Sequence, residues 1–317
     1  MPSNEPDPST IVFFDNRYVP LAQAQVGVLT HALNYGTGVF EGIRGYWDAD
    51  IQEVMLVRPA DHYLRWKRNA GILHLEIPPS PDELSDITAE LLRRNAFHSD
   101  IYVRPLVWKS AQRIGVHADD RDSFTIVAVP FGVYMDSAKG LHAGVSSWRR
   151  LADNAIPGRA KICGAYVNSA LATDDVRRCG FDEAIFLSEN GHVAEGATCN
   201  IFMVRNGRLI TPGPADNILE GITRACIIEL ARDVLHLEVV ERSIDRSELY
   251  VCDEVFFTGT AVELAPVTMV DHRRVGAGAI GPIASELRRL YTDATRGRLP
   301  QFENWIRRVS VPVSIHA

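Results

Sequence analysis

Two Asn-Gly pairs, in Glu189-Asn190-Gly191 and Arg205-Asn206-Gly207, each separate short apolar runs. An Asn-Gly pair readily adopts the positive φ of a two-residue turn between antiparallel strands, so both places commit the chain to hairpins. Ile11 to Phe14 and Tyr18-Val19, around Asp15-Asn16-Arg17, read as a third. Strand-like runs also occur at Glu53 to Arg58, Ile101 to Trp108, Ser123 to Val129, Leu141 to Trp148, Glu183 to Leu187, Val239 to Arg242, Glu254 to Phe257 and Pro266 to Val270. Helical spacing marks Ala60 to Leu73, Pro81 to Phe97, roughly Val167 to Arg178, Ile222 to Leu235 and Pro282 to Thr295. Strands and helices are thus mixed throughout, with tight hairpins and no fixed repeat. That pattern predicts an α+β fold with mostly antiparallel sheet, not a doubly wound parallel sheet.

The 317 residues call for about two domains. The stretch Gly132 to Gly140 lacks periodicity and reads as the link. The expected division is an N-terminal domain over 1–133, a loop over 134–144 and a larger domain over 145–317. A net charge of -7 argues against a non-specific nucleic-acid binder. Five cysteines form no C-x-x-C pair, which argues against a disulfide framework and a zinc ribbon. They read as reduced and mostly buried. The polar start shows no signal peptide, and no run reaches the roughly 18 apolar residues of a membrane span, so the expectation is a cytoplasmic protein. Phosphate-loop, zinc-protease and nucleophile-elbow motifs are absent. Gly276, Gly278 and Gly281 match G-x-G-x-x-G, but too near the C-terminus for a βαβ unit. Histidines are scattered singly, so no metal is expected, and His62, His98 and His236 read as surface or helix-end residues.

Chemistry is suggested by Lys161, set among small and apolar residues in Ala160-Lys161-Ile162-Cys163-Gly164-Ala165-Tyr166. If buried, its amine would lose basicity and attack an aldehyde. Composition alone reads it as one more surface lysine. Glu195, in Ala194-Glu195-Gly196, is the kind of acid that would keep a pyridine nitrogen protonated, or else a turn-edge glutamate. Gly221-Ile222-Thr223-Arg224 opens a helix, where backbone N–H groups and a hydroxyl suit a phosphate or simply cap the helix. Gly259-Thr260-Ala261 follows an apolar strand in a similar way. Arg65 could add a charge-assisted bond to the same phosphate; taken alone it reads as a solvated arginine.

These segments, in order with His31-Ala32-Leu33-Asn34-Tyr35-Gly36, Val39-Phe40-Glu41-Gly42-Ile43-Arg44, Tyr102-Val103-Arg104-Pro105-Leu106 and Ser146-Ser147-Trp148, resemble the fold-type IV pyridoxal-phosphate enzymes, specifically the branched-chain amino acid aminotransferases. The resemblance runs from about Phe14 to about Gly281. It implies two α/β domains with pyridoxal 5'-phosphate between them, Lys161 carrying the cofactor and shuttling a proton, and Glu195 on the ring nitrogen. It implies Tyr166 on the phenolic oxygen, Leu219 against the ring, and Arg65, Ile222, Thr223 and Thr260 on the phosphate. The implied reaction moves an amino group between branched-chain L-amino acids and 2-oxoglutarate or L-glutamate.

For the substrate, the resemblance implies aromatic walls from Tyr35, Phe40, Phe131 and Tyr134, with Gly42 and Arg44 in the same motif. Tyr102, Thr260 and Ala261 would hold the α-carboxylate and Arg104 the distal carboxylate of glutamate. The pocket would be completed in a homodimer, with Tyr35 and Val116 from the partner, and a hexamer is compatible. Two segments depart from the family pattern: Ala197-Thr198-Cys199 after Glu195-Gly196, and the bulkier Gln112-Arg113 before Gly115-Val116. The competing readings are a D-amino acid or (R)-amine aminotransferase, and an aminodeoxychorismate lyase.

Overall fold

The structure, a computed structural model, describes residues 6–117 and 119–312. Two compact units emerge. One takes the chain up to Gly132, the short stretch Ile162–Gly164 and everything described from Ala294 onward; the other takes Val133–Lys161 and Ala165–Asp293. The first unit's long N-terminal stretch ends at Gly132, and two parts of 145–317 cluster with it. Ile162–Gly164 joins it through a bridge between Val39 and Ile162 and the Gly164 N–H on the Gly36 carbonyl, and the C-terminal part through a strand that the sequence pattern does not reveal. Ile306–Ser310 pairs antiparallel with Glu53–Val57, the run expected as a strand near the other end of the chain. The expected linker 134–144 lies in the second unit, and its last residues already belong to the strand Leu141–Arg149.

The first unit is built on an eight-stranded sheet whose strand pairs are all antiparallel. Its long central strand, Ile101–Lys109, has Pro105 in the middle. A proline cannot donate to the ladder, so it belongs where pairing is interrupted. Two separate strands, Gly38–Phe40 and Ile43–Asp48, pair with Ile101–Lys109, and Glu41-Gly42 between them lies opposite Pro105. The Glu41 N–H donates to the Pro105 carbonyl at 2.9 Å. The helix Pro59–Ile72 begins on a proline and buries His62, Tyr63, Trp66, Asn69 and Ala70, one face at helical spacing. Trp66 Nε1 donates to the Val39 carbonyl, tying that helix to the interrupted strand. The helix Pro81–Asn95 starts with a capping box in which the Ser80 hydroxyl accepts from the Glu83 N–H and the Glu83 carboxylate from the Ser80 N–H.

The second unit is built on a ten-stranded sheet. Most pairs are antiparallel, but Leu141–Arg149 runs parallel to both Glu183–Leu187 and Glu263–Val270. Both Asn-Gly expectations hold: the turn at Asn206-Gly207 joins Asn200–Arg205 to Arg208–Thr211, and the turn at Asn190-Gly191 joins Glu183–Leu187 to His192–Gly196. The strand His192–Gly196, which carries Glu195, lay unrecognised inside the acid-bearing motif. One apolar cluster, including Ile185, Val193, Ile201, Met203 and Phe257, fills one side of this sheet. Helix Tyr166–Arg178 begins five residues after Lys161, and helix Ile222–Asp233 begins directly after Gly221. Among the described residues, no helix is long and apolar enough to cross a membrane.

Candidate active site

Lys161 ends the stretch Val133–Lys161 of the second unit, and Tyr166 opens the helix after it. A single 3-10 turn, Cys163–Ala165, separates them, so five residues of chain close into a short arc. The Lys161 amine donates to the Tyr166 hydroxyl at 3.0 Å. Lys161 is half-buried, not withdrawn from water to the degree the sequence reading required.

Glu195 projects from its strand into the interior and is 5% exposed. Its Oε2 accepts from Asn200 Nδ2 at 3.0 Å and from the Leu219 N–H at 3.1 Å. Its Oε1 pairs with Arg150 at 2.8 Å. Burial pushes the carboxyl above the usual range, against the pull of Arg150, the Leu219 N–H and Lys161. Asn200 also donates to the Leu219 carbonyl at 2.8 Å, so one amide fixes both the acid and the Leu219 loop. Gly221 is required there: a Cβ on it would meet Asn200 Oδ1 at 2.0 Å.

Gly221 caps the helix Ile222–Asp233 with extended backbone and no side-chain cap. The first N–H groups of such a helix have no partner within it, and they carry the positive end of its dipole. Ile222 and Thr223 are the first two residues of that helix. Thr260 and Ala261 lie in the turn between strands Glu254–Gly259 and Glu263–Val270. Tyr134 is partly exposed; burial and nearby Glu183 raise its hydroxyl above the usual range.

The first unit gathers a second group. Tyr102 and Arg104 lie two apart on the strand Ile101–Lys109, hence on one face, the face that is not packed into the core. The Arg104 guanidinium sits over the Phe40 ring at 4.5 Å and donates to the Tyr102 hydroxyl at 3.3 Å. Tyr102 lies against Phe131, ring centroids 5.0 Å apart. A Cβ on Gly42 would fall 1.8 Å from the Tyr102 hydroxyl, so only glycine admits this packing. Arg44 is buried and donates Nη1 to the carbonyls of Phe131 and Gly132. Tyr35 accepts from the Gly115 N–H at 3.0 Å, and Val116 is 79% exposed.

Arg65 is not simply solvated. Its Nε and Nη2 bind the two oxygens of Glu41 at 2.7 and 2.8 Å, a fork that fixes the guanidinium. His62 Nδ1 lies 2.9 Å from the same carboxylate and is 2% exposed, which corrects its reading as a surface residue. His98 and His236 are exposed, as expected. Glu41 itself is fully buried. Burial would push its carboxyl up, but Arg65 and His62 prevail and hold it far below the usual range. Sequence reasoning gave no role to Glu41, His62, Arg150 or Asn200. The partners of Glu41 and Arg150 are distant in sequence, and only the composition of a motif could have hinted at them.

The sequence matches the class IV amino-transferase family over residues 38–270. A protein of Aquifex aeolicus (strain VF5), named a probable branched-chain-amino-acid aminotransferase, is 44% identical over 93% of this chain and 95% of its own. The chain belongs to the class IV aminotransferases of the branched-chain type. Solved structures of this type agree. The branched-chain aminotransferase of Thermoproteus uzoniensis with norvaline is 41% identical with a TM-score of 0.90, covering 95% of this chain and 99% of that one. The branched-chain amino acid aminotransferase of Thermobaculum terrenum, in its PLP-form (holo-form), is 36% identical with a TM-score of 0.90, covering 95% of this chain and 98% of that one.

The residues present fit pyridoxal phosphate. Its aldehyde and phenolic oxygen sit on neighbouring ring carbons, so the amine and hydroxyl that serve them must also be neighbours, as Lys161 and Tyr166 are. The ring nitrogen needs a buried acid, and Glu195 is one.

Proposed function

We propose that this enzyme moves the amino group between branched-chain L-amino acids and the 2-oxoglutarate/L-glutamate pair, with pyridoxal phosphate held by Lys161, Tyr166, Glu195, Leu219, Ile222, Thr223, Thr260 and Arg65. The observation that carries the reading is the Lys161–Tyr166 pair at 3.0 Å in the unit that also buries Glu195. When bound, the cofactor supplies an aldehyde to receive the amino group and a ring that accepts electrons. The Lys161 amine would hold it and would take up the proton from the substrate Cα as general base, giving it back as general acid. Tyr166 donates to the phenolic oxygen. Glu195 accepts from the ring nitrogen. The N–H groups of Ile222 and Thr223 and the hydroxyls of Thr223 and Thr260 hold the phosphate, and Glu41 keeps the Arg65 fork in one orientation for the same task.

Two kinds of side chain must be accepted by one pocket, aliphatic and carboxylate-bearing. Phe40, Phe131, Tyr134 and Tyr35 supply apolar wall, with Gly42 and Arg44 shaping it by what they let Tyr102 and Phe131 do. Arg104 rests on an aromatic face and is the cation for the distal carboxylate. Tyr102, Thr260 and Ala261 take the α-carboxylate. We further place the enzyme in a homodimer in which Tyr35 and Val116 serve the partner. The exposed Val26, Val28, Leu33, Ile114 and Val116 support this as an apolar surface in need of cover. Five free thiols fit a reducing compartment, the cytoplasm.

The test is a donor panel of L-leucine, L-glutamate, D-alanine and (R)-1-phenylethylamine, followed by loss of the visible band of the lysine-bound cofactor. L-leucine and L-glutamate should bleach it fastest. Preference for D-alanine or the amine would overturn the substrate assignment. Lys161→Ala should lower turnover by at least about 10²–10⁴-fold with the fold intact, and borohydride should fix the cofactor to residue 161.

A further inference from the structure

Arg150 has no place in the mechanism above, yet it touches three of its segments. Nη2 pairs with Glu195 Oε1 at 2.8 Å and reaches the Gly158 carbonyl at 3.4 Å, while Nε donates to the Asn217 carbonyl at 3.2 Å. Gly158 precedes Lys161 by three residues and Asn217 precedes Leu219 by two. The two segments approach so closely that a Cβ on Gly158 would meet the Asn217 oxygen at 2.3 Å. One guanidinium thus bridges the lysine segment, the ring-facing loop and the acid. Its own backbone N–H donates to the Leu187 carbonyl, anchoring it to the sheet.

The lone pairs of Glu195 sharpen the point. A carboxylate has about four acceptor positions. Asn200 and the Leu219 N–H take both on Oε2, and Arg150 takes one on Oε1. One position remains, on the oxygen that Arg150 holds. We propose that Arg150 is a positioning residue for the cofactor: it locks the Glu195 carboxylate as an anion with a single acceptor position left on Oε1, so that the ring nitrogen placed there must carry the proton. The charge is as important as the geometry. Without a cation, a carboxyl buried this deeply would favour its neutral form and donate to an unprotonated ring instead. Glu195 is lifted by burial, and Arg150 is the leading influence against that lift.

The inference rests on the reading of the chain as a pyridoxal-phosphate enzyme, and the experiment separates the two. Holoenzyme is loaded with cofactor labelled with ¹⁵N in the ring, and the nitrogen shift is followed against pH in wild type, Arg150→Gln and Arg150→Lys. Wild type should show a protonated ring nitrogen throughout. Arg150→Gln keeps donors but not charge, and its signal should move to the neutral position as pH rises, with kcat falling on the order of tenfold or more and KM changing less. Arg150→Lys should restore much of both. A double-mutant cycle completes the test: in a Glu195→Gln background, Arg150→Gln should cost little more. A wild-type nitrogen signal in Arg150→Gln, or equal losses in both backgrounds, would overturn the proposal and leave Arg150 a structural brace. If Arg150→Gln fails to fold, Arg150→Lys decides: a neutral ring nitrogen despite the retained charge sinks the idea. Failure of the wild-type protein to take up the labelled cofactor would instead refute the functional reading.

Discussion

Glu41 in the first unit and Glu195 in the second are both buried carboxylates paired with an arginine, yet their environments drive them in opposite directions. Glu41 receives a two-pronged fork from Arg65, a histidine nitrogen from His62 and its neighbour's Gly42 N–H at 3.2 Å. Its charge is overcompensated and its carboxyl sits far below the usual range. Glu195 meets Arg150 through one oxygen, with two neutral donors on the other, and burial keeps its carboxyl above the usual range. The difference separates an anchor from a working group. A carboxylate whose acceptor positions are filled by an arginine fork, a histidine nitrogen and a backbone N–H has nothing left to offer a ligand and serves to orient Arg65. One left short of partners retains affinity for another proton donor, which a cofactor ring can be.

The contrast can be broken most forcefully by removing each charge in apo-protein. Glu41→Gln should cost about 3 kcal/mol or more of unfolding free energy, because it removes the buried charge that the Arg65 fork and the buried His62 meet. Glu195→Gln should cost less in the same denaturant titration, since burial already opposes the wild-type charge and this offsets part of what Arg150 loses with its partner. Equal losses would erase the distinction. A smaller effect lies at Arg104, which is partly exposed and rests on Phe40 instead of a carboxylate. Arg104→Ala should lower kcat/KM for L-glutamate by roughly 10–100-fold, the scale of one charged hydrogen bond, and for L-leucine by far less; equal losses would remove its role in dual recognition. The smallest effect is the pH dependence of the first comparison. Glu41 has a lowered value, so the stability it gives is present above about 4.5 and lost as pH falls through the lowered value. Glu195 has a raised value, so its stabilising effect is full below about 4.5 and lost as pH rises through the raised value. Acid titration of the apo variants should therefore shrink the deficit of Glu41→Gln but not that of Glu195→Gln.

Much of the fold was open to reading. Asn-Gly turns, capping signals and apolar stripes act within a few residues, and Pro282–Thr295 appeared as a helix with the bounds the spacing predicts. The strands Gly38–Phe40 and Ile43–Asp48 are hidden within a motif, the first because three residues carry too little alternation to register and the second because its first four residues are all buried and do not alternate. Ile306–Ser310 was missed for a different reason: its only claim to be a strand is its partner Glu53–Val57, some 250 residues away. On the site, Lys161 and Tyr166 were legible because five residues and one turn bring them together. Arg150 was not, since Trp148-Arg149-Arg150 contains nothing that says which arginine turns inward.

Local sequence is enough to set the mixed α+β character, the hairpins, and the local arcs that present Lys161, Glu195 and the start of the helix at Ile222, because these depend on turn chemistry and on periods of two and 3.6 residues. Tertiary structure alone decided which charges meet. Glu41 finds Arg65 and His62, and Glu195 finds Arg150, through strand register and helix packing between elements far apart in the chain. The balance of burial against neighbouring charge, which makes one acid an anchor and leaves the other ready for a cofactor, exists only once that packing is complete.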